Sequence, residues 1–139
     1  MAVIAIESTD LLSAQHTGAF LLAVLTRFFG KIDPVSFAFW HAHLRKTGHF
    51  AAYGLLSYLM FRAWRATLPG VSGTVWNFRW AFNAVMMTTL VASLDEWHQT
   101  FIPSRTGTVS DVLLDMTGAM AVQILIFLLV RVRRAQELA

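Results

Sequence analysis

SLDEWHQTFIPSRTG, residues 93–107, places two carboxylates, an imidazole, an amide and a guanidinium (Asp95, Glu96, His98, Gln99 and Arg105) within eleven positions. The stretch overlaps the end of WAFNAVMMTTLVASLDEW, residues 80–97, a run that reads as a membrane span. Ionisable groups at the end of such a run are costly to bury in lipid, so they are expected to be paired, solvated or functional.

The rest of the chain sets the context. Of its 139 residues, 56% are hydrophobic and only 14% are charged, which is too apolar for an ordinary water-soluble domain and short enough for one domain alone. There is no cysteine, so neither a disulfide framework nor a thiolate metal site is available. A pI near 10.0 would fit nucleic acid, but the basic residues are scattered at segment ends and form no patch, so no nucleic-acid partner is expected.

Three segments are long enough to cross a bilayer: Lys46 to Trp64, Trp80 to Trp97 and Val112 to Val130. At a rise of about 1.5 Å per residue, each approaches the roughly 30 Å of hydrocarbon. Pro69, Gly70 and Gly73 mark a turn between the first two, Pro103 breaks the chain after the second, and Ser110 is placed to cap the third. With three spans, Arg62, Arg65, Arg79, Arg131, Arg133 and Arg134 share one side with Glu137. The other side and its helix ends hold Arg27, Lys31, Arg45, Lys46 and Arg105 against Glu7, Asp10, Asp33, Asp95, Glu96, Asp111 and Asp115. The clustered arginines put the C-terminus in the cytoplasm, with Trp64, Trp76 and Trp80 near the inner interface and Trp40 and Trp97 near the outer one.

The N-terminal third contains no full span. AFLLAVLT at 19–26, with Phe28 and Phe29, is expected to form an interfacial helix ending near Gly30, and a second short helix is expected to start after Asp33-Pro34. MAVIAI at 1–6 is read as the tail of a further span that begins upstream. The expected fold is therefore an all-α, small polytopic membrane helix bundle. It comprises an N-terminal interfacial region (1–44), a transmembrane domain (45–134) and a short cytoplasmic tail (135–139).

Spacing brings the polar groups to one level. Asp95, His98 and Gln99 lie three and four apart at the outward end of the second span; Lys46, His49 and Tyr53 lie at the outward start of the first, and Asp111 and Asp115 at the outward start of the third. Arg105 sits in the turn above them, where a planar guanidinium can bridge two carboxylates or clamp an external phosphate or carboxylate. Gly107 lets that turn come close, and Gly118, with Ala119 and Ala121, permits tight helix packing below it.

In order, K-x-x-H-x-x-x-Y (Lys46, His49, Tyr53), D-E-x-x-Q (Asp95, Glu96, Gln99), P-x-R with a following glycine (Pro103, Arg105, Gly107) and D-x-x-x-D-x-x-G (Asp111, Asp115, Gly118) resemble the VanZ family over residues 45–122. The resemblance implies a small helical protein of the bacterial inner membrane. The founding member of that family is associated with resistance to teicoplanin, a glycopeptide that binds cell-wall precursors. Family members often carry Gly before the turn arginine and Asn at the third-helix position, where this chain has Ser104 and Asp115, so its site is the more negative one. They also usually have a helix ahead of the first motif, in line with the reading of MAVIAI.

Two functions fit these residues. In the first, an outward polar site binds or modifies a lipid-linked or cell-wall precursor, with Lys46, Tyr53, Gln99, Arg105, Asp111 and Asp115 contacting it. Should it be catalytic, Asp95 or Glu96 serves as base and His49 or His98 as proton shuttle, while no feature identifies a nucleophile. In the second, the charges only lock three helices together in a scaffold or partner-binding subunit. Transport by this chain alone is disfavoured by three spans without a broken inverted repeat. No metal centre is assigned, since His41 and His43 point to different sides of a helix and no H-E-x-x-H occurs; Asp95, Asp111, Asp115, His49 and His98 nevertheless offer donors for a divalent ion. No cofactor is assigned. Met86, Met87 and Met116 are expected to pack, and Gln123 to bond a neighbouring helix.

Overall fold

Local signals account for where each helix starts and stops. The structure, a computed structural model, describes residues 14–68, 75–102 and 107–137. MAVIAI, Glu7, Asp10, the turn at Pro69, Gly70 and Gly73, and Arg105 with Pro103 and Ser104 lie outside those residues. The described residues form four helices and no strand: α1 (Ala14–Phe29), α2 (Pro34–Thr67), α3 (Phe78–Gln99) and α4 (Val109–Glu137). The described residues are all-α, as the sequence implies.

Helix α1 ends where Gly30 adopts φ 84° and donates its N–H to the Thr26 carbonyl at 3.1 Å. Asp33 then caps α2. Its Oδ2 accepts from the Ser36 hydroxyl at 2.7 Å and the Ser36 N–H at 2.9 Å, which holds the Asp33 carboxyl below the usual carboxylate range, and Pro34 occupies a first-turn position that needs no donor. The short helix expected here and the first expected span prove to be one helix of 34 residues. Apolarity rises near residue 46, but no proline intervenes to break the backbone hydrogen bonding.

Asn77 caps α3 through Oδ1, which accepts from the Arg79 N–H at 2.8 Å. That helix closes in a tightened turn, with Phe101 N–H donating to His98 O and Ile102 N–H to Gln99 O, both at 3.1 Å, just ahead of Pro103. Thr108, and not the expected Ser110, caps α4: its Oγ1 accepts from the Asp111 N–H at 3.3 Å and its carbonyl from the Val112 N–H at 3.4 Å.

Pairs of touching residues define the packing. Helices α2 and α4 run parallel, since His49 meets Asp115, Gly54 meets Val122 and Ser57 meets Gln123 in rising order along both. Helix α3 is antiparallel to both: Tyr53 reaches Asp95 while Phe61 stacks edge-on with Trp80 at 6.2 Å, and Thr108 reaches Glu96 while Trp76 meets Phe127 at 4.9 Å. The parallel pair is tight because Gly118 rests on the Phe50 backbone carbonyl, where a Cβ would collide. Ser57 donates its hydroxyl to the Ala119 carbonyl at 3.2 Å and accepts from Gln123 Nε2 at 2.8 Å, so Gln123 does bond a neighbouring helix.

Polarity is distributed inside out. Ser57, Thr88, Glu96, Gln99, Asp115 and Gln123 are buried, whereas Leu55, Leu90, Leu94, Leu125, Leu128 and Leu129 are at least half exposed. Met86 and Met87, expected to pack, are exposed, and Trp80, expected near the inner interface, is buried against Phe61. Only α4 among the described helices is both long and apolar enough to cross a membrane by composition. Helix α3, with 22 residues, spans about 33 Å, and α2 about 51 Å, so length does not separate the three.

Adding a methyl group at Gly118 is expected to overpack the α2–α4 contact and to destabilise the detergent-solubilised protein by about 1–3 kcal/mol. Gly48→Ala, where the added Cβ meets nothing within 4 Å, should be neutral or slightly stabilising. Thermal unfolding of the two variants checks this contrast.

Candidate functional site

The C-terminal turns of α3, the N-terminal turns of α4 and the middle of α2 meet at one end of the bundle. At roughly 100° per residue, Thr88, Ala92, Asp95, Glu96 and Gln99 occupy one inward arc of α3. Tyr53 is buried opposite and donates its hydroxyl to Asp95 Oδ2 at 3.2 Å. The same oxygen accepts from Gln99 Nε2 at 2.9 Å, one turn further along. Asp95 is thereby tied to two helices at once.

Glu96 does something different. Its Oε2 accepts the backbone N–H of Thr108 at 2.9 Å, so a carboxylate of α3 satisfies a donor at the amino end of α4, where the helix dipole also favours negative charge. Gly107 makes this approach feasible, because any Cβ there would strike the Glu96 carbonyl. Thr108 donates its hydroxyl to Asp111 Oδ2 at 2.9 Å, which fixes Asp111 in the first turn of α4. One turn on, Asp115 has no exposed surface and lies 3.7 Å from His49 Nδ1, whose ring stacks near-parallel on Tyr53 at 6.2 Å.

Of the residues singled out from sequence, His49, Tyr53, Asp95, Glu96, Gln99, Asp111 and Asp115 come together here. Lys46 does not: it is exposed, three residues before His49. His98 is also exposed; it lies roughly 60° from Asp95 on the side away from Gln99, so the face it was expected to share turns outward. Arg105 lies outside the described residues. Thr108 was not anticipated, although T-x-x-D at 108–111 is a capping signature that marks it.

A cavity of about 320 Å³ opens beside Glu96 between α3 and α4, walled by Ser93, Trp97, Thr100, Thr108 and Val112. A larger one, about 460 Å³, lies toward the other end and is lined almost wholly by apolar side chains, among them Phe78, Phe82, Met120 and Phe127. Of the two, the smaller has an ionisable side chain, Glu96, in its wall, and the larger has none.

The family model described as VanZ/LLP1 matches residues 2–131, nearly the whole chain. No curated protein and no solved structure matches.

Removing the Tyr53 hydroxyl as Tyr53→Phe is expected to weaken the fold by about 1 kcal/mol through loss of one interhelical hydrogen bond. His98→Ala, at an exposed position, should stay within about 0.5 kcal/mol of the parent. Equilibrium unfolding in mild detergent distinguishes the two.

Proposed function

Because the chain belongs to the VanZ/LLP1 family, we propose that it is a multi-pass protein of the bacterial inner membrane whose polar cluster faces outward and binds or modifies a lipid-linked or cell-wall component. In this reading α2, α3 and α4 all cross the bilayer and the C-terminus is cytoplasmic. The inside-out polarity of the helices supports it, as does the clustering of Arg62, Arg65, Arg79, Arg131, Arg133 and Arg134 at the ends remote from the site. A tie to glycopeptide resistance comes by resemblance to the founding member alone.

The observation that carries this reading is the meeting of Glu96 with an open cavity large enough for a headgroup or a sugar. Asp95 is committed to Tyr53 and Gln99, which leaves Glu96 as the better placed general base. His49, facing Asp115, is the better placed proton shuttle, and Arg105 is the cation proposed to meet an anionic ligand. A second reading, a non-catalytic scaffold, draws support from the same Asp95 bonds, which hold α2 and α3 together.

Native mass spectrometry of the gently extracted protein tests the choice. A binding site retains a lipid-linked precursor and loses it in Glu96→Gln, with the unfolding midpoint little changed. A scaffold retains none, and its Asp95→Asn variant loses detergent stability without altering any bound species. In intact cells Arg105→Cys should react with an impermeant maleimide and Glu137→Cys only after permeabilisation; labelling of both from outside contradicts the orientation.

A further inference from the structure

Asp115 is fully buried, and neither of its oxygens accepts a hydrogen bond among the described residues. Its ion-pair neighbour is His49, with Nδ1 at 3.7 Å, too far for a hydrogen bond. A carboxylate in that position calls for a counter-charge. Glu96, also buried, commits one oxygen to the Thr108 N–H. One donor atom from each of His49, Glu96 and Asp115 lies within 4.8 Å of the other two. Asp95 stays outside this set because Tyr53 and Gln99 already hold it.

We propose that His49, Glu96 and Asp115 form a binding site for one divalent cation of the Zn²⁺ or Mn²⁺ class. An imidazole with two carboxylates suits such ions better than Mg²⁺ or Ca²⁺, which favour oxygen alone, or Cu⁺, which favours sulfur. Bonds of about 2.0–2.2 Å bring donor atoms to roughly 3.3–3.6 Å from one another, so the three close by about an ångström on loading. Two carboxylates, a neutral imidazole and a dication sum to zero charge, the arrangement an apolar interior tolerates best. The donors come from α2, α3 and α4, so the ion ties all three helices, and three protein ligands leave room for water or an anionic oxygen. With the ion bound, Glu96 and His49 are ligands in place of the base and shuttle roles proposed for the metal-free site. No sequence motif marks the set, because each donor sits on a separate helix.

Cation binding is separable from retention of an envelope component, because it is measured on delipidated protein with metal alone. Tag-free protein in detergent is stripped with a chelator, titrated with Zn²⁺ or Mn²⁺, dialysed and analysed for bound metal and thermal midpoint. The expected result is about one equivalent per chain and a raised midpoint. Asp115→Asn and His49→Gln should each weaken binding at least about tenfold, with helical circular dichroism retained, while His43→Gln, exposed on α2, binds like the parent. His49 is partly exposed, so its variant keeps the test open even where Asp115→Asn fails to fold. Binding well below one equivalent, or equal binding in the parent and His49→Gln, overturns the proposal.

Discussion

The approach of the Asp115 carboxylate to His49 inside the bundle governs how the three long helices are arranged. Burying a carboxylate costs several kcal/mol unless charge or hydrogen bonds answer it. The answer here must come from α2 and α3, since Asp115 faces both. Gly118, one turn further along α4, lets the backbones approach until it rests on the Phe50 carbonyl, and that contact brings His49 level with Asp115. Glu96 completes the junction by binding the amino end of α4. Below this layer Ser57 and Gln123 form a second polar contact, and beyond it Phe61, Trp80, Ala81 and Ala84 make an apolar core. Polarity thus declines along the bundle, which is why the two cavities differ in character.

Such an interior makes physical sense where lipid is the solvent. Against hydrocarbon, outward Leu, Met and Phe side chains gain nothing by turning inward, so helices associate through close packing of small residues and interhelical hydrogen bonds. Gly54, Gly118 and Ala119 supply the first; Ser57, Tyr53 and Gln123 supply the second. Membership of the VanZ/LLP1 family and the apolar length of α4 point the same way.

Much of this was legible in the sequence where a local rule decides. Asp33-Pro34 starts a helix, Gly30 ends one, and motifs at helix ends converge because hairpin-connected helices return to the same level. Legibility failed where rotation or tertiary contact decides. His98 and Gln99 are adjacent, yet only Gln99 falls within the buried arc. Thr108 and Ser110 are both plausible caps, and Thr108 occupies the position because Glu96 captures its N–H. The juxtaposition of His49, Glu96 and Asp115 depends on the rotation of three helices at once, which no spacing encodes. The continuity of α2 was obscured for another reason: a change in apolarity near residue 46 looks like a boundary, but the backbone does not register it.

Everything at the site follows from the parallel register of α2 against α4. Since the chain has no cysteine, a pair can be introduced cleanly: a Cβ on Gly54 lies 3.0 Å from a methyl of Val122. Mild oxidation of Gly54→Cys/Val122→Cys in native membranes, read as loss of free thiols within single chains, should form the disulfide readily, while Leu55→Cys/Val122→Cys, rotated outward by one residue, stays reduced. Cross-linking of the second pair in preference to the first would place His49 and Asp115 on different faces and contradict the account.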